Sequence, residues 1–369
     1  MSRATQSRLD LGALVHNLRR VRAAAPGRRV AAAVKAEGYG HGLVRVARAL
    51  DADAFAVASI EEALTLREAG IARPILLLEG AFEAAELPLC ARQGLDVAVH
   101  HPEQVSMLER ARLERPVRVW LKIDTGMHRL GLEPETAVAI FQRLHACPSV
   151  RPDLGLMSHL ARADERDCDY TRRQLHAFET ATAGLPGERS LANSAGILGW
   201  PRTHFDWVRP GIMLYGASPF VDSLAPDEDL RPVMTLSTRL ISIKRLGKGE
   251  PVGYGGTWVC PEDMDVGVAA VGYGDGYPRH APTGTPVLLD GREAALIGRV
   301  SMDMITLDLR RHPKARIGDP VVLWGEGLPV ERIAQAAGTI SYTLLCGVTA
   351  RVRREVIEPP PLPGGEGIE

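Results

Sequence analysis

Cysteine is scarce in this chain, and the few present are badly placed for the usual roles. Cys90, Cys147, Cys168, Cys260 and Cys346 are odd in number and scattered, with no Cys-x-x-Cys pair, so neither a disulfide framework nor a zinc site is indicated. Reduced, inert thiols are expected. Net charge is also nearly absent: 44 Lys and Arg stand against 45 Asp and Glu, leaving −1 with the signs mixed throughout. That excludes a basic field for nucleic acid and a polybasic patch for a membrane, and points to a small-molecule partner. No run of about 18 apolar residues occurs, and residues 1–20 carry charges without an apolar core followed by a small-residue cleavage site. A soluble, cytoplasmic protein is expected. No metal site is suggested, and no internal repeat of roughly 20 to 50 residues stands out beyond the alternation described next.

The length of 369 residues suggests about two domains. From residue 30 to 211, short apolar runs alternate with stretches of helical spacing. The runs are Val30 to Val34, Ala54 to Ala58, Ile75 to Leu78, Asp96 to Val99, Val117 to Ile123, Leu154 to Met157, Arg189 to Ala192 and Trp207 to Val208. Ile60 to Ala69 and Pro102 to Leu113 illustrate the amphipathic pattern between them. Eight βα units in this span suit a TIM (β/α)8 barrel, although an open doubly wound sheet would alternate in the same way. Past Pro232 the texture becomes strand-like at Val233 to Leu246, Val266 to Val271, Pro286 to Leu289, Ala295 to Leu309 and Pro320 to Trp324. Little helix is expected there before Val330 to Ala337. Asp290-Gly291 is a strong hairpin turn signal. The expected organisation is therefore an α/β barrel over 1–230, a mostly β domain over 231–358 and a disordered Pro- and Gly-rich tail over 359–369.

Polar residues gather where the expected barrel strands end. Lys35 closes the first run and is followed at once by glycines in Val34-Lys35-Ala36-Glu37-Gly38-Tyr39-Gly40-His41-Gly42. Lys122 to Asp124 end the fifth run, His159 follows the sixth, Asn193 and Ser194 the seventh, and Arg209-Pro210-Gly211 the eighth. In a TIM barrel these ends share one face, and the last two loops often bind phosphate through backbone N–H groups. Taken singly, Lys35 reads as a solvated strand cap and His159 as a core histidine. Together, a lysine able to form a Schiff base, two further cationic or imidazole groups and a Ser/Gly cup suggest a phosphate-bearing aldehyde such as pyridoxal phosphate.

Several ordered motifs, spread from about residue 8 to residue 356, resemble those of the alanine racemase family. They are VKAEGYGHG at 34–42, LKIDTGMHRLG at 121–131, SHLARADE at 158–165, FDWVRPGIMLYG at 205–216, PVGYGGTW at 251–258, VGYGDGYPR at 271–279 and GRVSMDM at 298–304. The resemblance implies an N-terminal TIM barrel with a C-terminal β domain, a homodimer sharing its active sites, and interconversion of L-alanine and D-alanine on pyridoxal 5'-phosphate. Residue by residue, it implies that Lys35 holds the cofactor and acts as the base on the D-alanine side. Tyr254, from the second subunit, is the implied base for L-alanine. Racemisation removes a proton from one face of a planar centre and returns it to the other, so one base on each face is required. Tyrosine ordinarily titrates near 10 and needs cationic neighbours to serve as a base.

The same matching implies that Tyr39, Ser194, Gly211, Ile212 and Tyr342 hold the phosphate and that His159 contacts the ring. Arg209 would face the ring nitrogen; a guanidinium does not readily give up its proton, so that nitrogen stays unprotonated and transamination is suppressed. Arg129 and the Met302 backbone would hold the substrate carboxylate. Tyr273 and Tyr342 would narrow the entrance, with Lys122 and Asp303 in support. Lys122 is expected to be carbamylated, an anion orienting Arg129. Glu37 departs from the Asn or Asp usual in the family at this point. Supply of D-alanine for peptidoglycan is the leading expectation, a broad-specificity or catabolic racemase the alternative; a cofactor-storing barrel is disfavoured because Tyr254 lies in a second domain that such proteins generally lack.

Overall fold

A computed structural model describes residues 3–358. The chain divides into two compact units, one of residues 17–214 with 218–223, the other of residues up to 16, 215–217 and from 224 onward. The first strand, β1 (Gln6–Asp10), belongs to the second unit, so the N-terminus departs from the expected boundary at residue 230. The expected tail at 359–369 lies outside the described residues.

The next eight strands form a closed parallel barrel: β2 (Arg29–Ala33), β3 (Ala54–Val57), β4 (Ile75–Leu77), β5 (Leu95–Val99), β6 (Val119–Lys122), β7 (Gly155–Met157), β8 (Glu188–Ser190) and β9 (Trp207–Val208). Closure comes from β9 pairing with β2, Arg29 opposite Trp207 and Val30 opposite Val208. Most barrel strands are buried along nearly their whole length, which is why they read as continuous apolar runs and not as alternations. The pairing of β9 with β2 removes the alternative of an open sheet.

Side-chain size sets the barrel interior. Ala31, Ala54, Ala56 and Ala98 are small and buried, which leaves room for Trp120 and Trp207 to meet edge to face at 6.1 Å between centroids. A Cβ on Gly155 would fall 2.4 Å from the Trp120 ring, so glycine is required beside it. Each indole N–H finds a carboxylate, Trp120 donating to Asp96 at 3.2 Å and Trp207 to Glu188 at 2.8 Å. Burying one indole removes about 200 Å² from water, on the order of 5 kcal/mol before entropy is charged against it.

Strand limits differ from the sequence reading in instructive places. Val34 belongs to the first apolar run but not to β2, because the chain turns sharply after Ala33. Val117 and Ile123 make isolated bridges to Val150 and Leu132 beside β6. The crossover helices Ile60–Glu68 and Pro102–Arg110 lie where the spacing puts them. No helix among the described residues is long and apolar enough to cross a membrane, and no disulfide joins the cysteines.

In the second unit an eight-stranded sheet has the order β13 (Met264–Ala269), β16 (Ile305–Asp308), β15 (Arg292–Ile297), β14 (Pro286–Leu289), β17 (Pro320–Trp324), β10 (Met234–Leu246), β1 and β18 (Arg353–Ile357). The long β10 also pairs with β13, its register shifting between Leu240 and Ser242. Asp290 and Gly291, both at positive φ, join β14 to β15 as the turn signal suggests. The expected single run Ala295 to Leu309 is instead two strands, broken at Gly298 (φ 69°) by the loop that carries Met302. A short hairpin of β11 (Pro251–Val252) and β12 (Trp258–Val259), the helix Ser341–Cys346 and the strand pair β1/β18 were not legible as elements.

Candidate active site

Lys35 stands at the head of a left-handed turn. Ala36, Glu37, Gly38 and Tyr39 have φ of 52°, 56°, 59° and 53°. For the three that are not glycine this region costs about 1–2 kcal/mol each, so the turn must be held from outside. Gly38 N–H donates to Val34 at 2.8 Å, Gly40 to Ala36 at 3.0 Å and Gly42 to Glu37 at 2.7 Å. The buried His41 ring places Nδ1 2.9 Å from the Tyr39 carbonyl and 3.1 Å from that of Gly38. Glu37, the unusual residue of this motif, accepts from Leu43 N–H at 3.3 Å and so satisfies a donor in the first turn of the helix Leu43–Ala49. Its carboxylate is engaged with that helix rather than with Lys35.

Cations crowd the carboxyl ends of the strands. Arg209 is buried after β9, donating to Ser190 Oγ at 2.5 Å, to the Leu191 carbonyl at 3.4 Å and to the Ser158 carbonyl. Burial draws its pKa down to about 10, which leaves it cationic at neutral pH. Lys122, at the end of β6, donates to the Leu78 carbonyl at 3.3 Å. Burial first, then the charges of Arg209, Arg129 and Lys35, bring its pKa down to about 8, with Glu79 opposing. His159 is pushed well below its usual value by burial and by Arg209, Lys122, Arg129 and Lys35. It is therefore a neutral imidazole at pH 7. Five of the sequence-singled residues thus share one electrostatic neighbourhood, Arg129 reaching it from the exposed loop after β6.

A second cluster adjoins the last two loops. Ser194 Oγ accepts from Gly211 N–H at 2.9 Å and Met213 N–H at 3.4 Å, fixing the strand-eight loop against the strand-nine loop. A Cβ on Gly211 would stand 2.5 Å from the Tyr39 hydroxyl, so glycine here lets the phenol approach the backbone. A hydroxyl, a phenol and the N–H groups around Gly211 and Ile212 form a donor set that suits a phosphate. With Lys35 for an aldehyde and Arg209 as a fixed cation, these residues fit pyridoxal phosphate.

The remaining expected residues belong to the other unit. Tyr254 lies in the turn of the β11/β12 hairpin with 68% of its surface exposed; Tyr273, Met302 and Tyr342 are exposed as well. The loops of Tyr273 and Met302 meet at Asp275, whose fully buried carboxylate accepts from Arg3 at 2.6 Å, Arg351 at 2.8 Å and Gly272 N–H at 2.9 Å. Arg351 also reaches Asp303 at 2.8 Å and the Met302 carbonyl at 3.2 Å, and Gly274 N–H donates to that same carbonyl at 2.9 Å. Asp275 thereby ties the loop of Tyr273 to that of Met302.

Sequence reading missed the supporting groups. Gln174, buried on the helix Asp169–Ala181, accepts from Ala161 N–H at 2.8 Å and donates to the His159 carbonyl at 3.0 Å. Ser190 orients Arg209, and Asp275 was passed over inside a glycine-rich turn. Only Glu62 carried a readable signal, the Ser59-x-x-Glu62 spacing of a capping box.

Comparison with known proteins agrees with this arrangement. The family model for the alanine racemase N-terminal domain matches residues 9–219, and that for the C-terminal domain matches residues 233–356. The biosynthetic alanine racemase of Escherichia coli K12 is 54% identical over 348 residues, 94% of this chain and 97% of that one. The crystal structure of the biosynthetic alanine racemase of Pseudomonas aeruginosa superposes with a TM-score of 0.94 at 48% identity, covering 96% of this chain and all of that chain. An alanine racemase structure from E. faecalis gives 0.88 at 34% identity over 96% of this chain and 98% of the other.

Proposed function

The chain belongs to the alanine racemase family, and on that premise we propose how its own residues interconvert L-alanine and D-alanine. The family is generally dependent on pyridoxal phosphate, which when bound supplies the electron sink that acidifies the substrate's α-carbon. The observation that carries the proposal is the convergence of Lys35, Lys122, His159, Arg129 and Arg209 beside the cup of Ser194, Gly211 and Tyr39.

Lys35 Nζ would hold the cofactor and would also be the group that moves the α-proton on the D-alanine face. Tyr254 Oη does so on the L-alanine face, from the partner subunit of a homodimer. Its exposure on this chain accords with a group that serves another's site. Arg129 and the Met302 backbone hold the substrate carboxylate, Tyr342 joins the phosphate set, and Tyr273 and Tyr342 restrict the entrance to a methyl-sized side chain. Arg209, fixed by Ser190 and Ser158, would present a cation to the ring nitrogen and so keep it unprotonated, and the neutral His159 would contact the ring. Met302 is kept in place by Asp303 and Arg351.

Lys122 at a pKa of about 8 has a neutral fraction at neutral pH. That amine attacks carbon dioxide, Nζ–C forms, one proton leaves to solvent, and the resulting anion sits among Arg129 and Arg209. Production of D-alanine for peptidoglycan in the cytoplasm is the physiological reading. Circular dichroism following both directions tests the chemistry: Lys35→Ala should be inactive, and Tyr254→Phe that retained full rate both ways would rule out the second base.

A further inference from the structure

We infer that Glu62 is a positioning residue for Lys35, holding through its carboxylate the left-handed turn that begins at Ala36; this rests on the reading of Lys35 as the cofactor lysine. Ala36, Glu37 and Tyr39 sit at positive φ without being glycine, a conformation that persists only where the surroundings impose it. The backbone bonds of the turn account for Gly38, Gly40, His41 and Gly42 N–H groups. The Ala36 N–H is satisfied from outside, by Glu62 Oε1 at 2.7 Å.

The other oxygen of the same carboxylate, Oε2, accepts from Ala58 N–H at 2.8 Å and Ser59 N–H at 3.4 Å. One side chain therefore ties the residue next to Lys35 to the end of the neighbouring strand β3. Bonds from N–H groups to an ionised carboxylate are among the stronger ones available. The N–H of Glu62 donates in turn to Ser59 Oγ at 3.4 Å, completing the capping box of the helix Ile60–Glu68, a bond the carboxylate itself does not use. A helix cap requires only the Ser59 contact. The bond to Ala36 is a second use of the group, and it spans 26 residues of sequence to reach the peptide that carries Lys35.

The control for this inference is Ser59→Ala, which removes the cap hydroxyl and leaves the carboxylate in place. Glu62→Ala should raise amide hydrogen exchange over residues 34–42 about tenfold. In the holoenzyme it should lower kcat roughly 10- to 100-fold through misplacement of Lys35, with KM for alanine changed less than about twofold. Ser59→Ala should lower the unfolding midpoint and leave both readouts unmoved. Glu62→Gln, which keeps one oxygen for two sets of donors, should show the same pair of changes in smaller measure and serves if the alanine variant fails to fold. Equal rate losses in Ser59→Ala and Glu62→Ala, with no added exchange over 34–42, would reduce Glu62 to a helix cap and overturn the inference. Borohydride reduction and peptide mapping of the wild-type holoenzyme separate this from the reading beneath it: cofactor trapped on another lysine would remove the role of Lys35, and the inference with it, whatever the exchange data show.

Discussion

The barrel and the β unit contribute to chemistry in opposite ways. Barrel groups are recessed and interlocked: Arg209 has three acceptors, Ser194 joins two loops, and the turn after Lys35 is held from several sides. Those of the β unit are exposed side chains, of which Tyr273 and Met302 lie on loops joined through Asp275. The barrel half is thus preorganised within one chain, whereas Tyr254 and Met302 present apolar and phenolic surface that must be covered before it can act in a dry site. An enzyme that needs a proton donor on each face of a planar centre can draw one from each kind of scaffold.

The largest expected effect would break this contrast if it failed. Tyr254→Phe should cost about 10²- to 10⁴-fold in racemisation while the unfolding midpoint stays unchanged, since the hydroxyl is exposed in the chain. A comparable fall in stability would show that Tyr254 is structural. Next, in cofactor-free protein freed of carbon dioxide, where Lys122 carries no carbamate, Lys122→Met should raise stability. The lysine pKa falls from 10.5 unfolded to about 8 folded. The folded state binds the proton less well, so the penalty is absent above about pH 10.5, grows as pH drops toward 8 and is constant below. The shift amounts to an order of 3 kcal/mol at neutral pH. Denaturant unfolding at pH 7 checks it, and a less stable variant would mean the buried charge is compensated.

Asp275→Asn should lower stability by about 2 kcal/mol, because Arg3, Arg351 and Gly272 N–H lose a shared ionised acceptor, the two arginines being partly solvated. It should also raise KM for alanine through the Met302 loop, and an unchanged KM would detach the hub from the site. The smallest effect concerns His159. Its folded pKa lies well below 6.5, so the stability it contributes is present above that unfolded value and is lost as pH falls below it. His159→Gln should flatten the decline in unfolding midpoint between about pH 6.5 and 5.

These effects track what the sequence could disclose. Most barrel strands were legible because burial on both faces makes them continuous apolar runs, the half-buried Glu-Arg-Ser of β8 excepted, and their ends named Lys35, Lys122, His159, Ser194 and Arg209. Val34 was misassigned to a strand since a left-handed turn leaves no apolar signature of its own. In the β unit, Val300, Met302, Met304 and Ile305 read as one strand although a loop runs through them. The pairing of β1 with β10 and β18 joins segments hundreds of residues apart, and local patterning carries no information on such partners. Glu62 announced a helix cap and concealed its bond to Ala36; Gln174 and Ser190 gave no signal at all.

The claim that each site draws Lys35 from one chain and Tyr254 from another can be tested by mixing two inactive proteins, Lys35→Ala and Tyr254→Phe, unfolding and refolding them together with cofactor, and measuring racemisation. Hybrid dimers with shared sites rebuild one complete site each, so the mixture should recover about a quarter of wild-type activity. Recovery of none, with hybrid dimers verified by mass, would place both bases in the same chain and contradict the account.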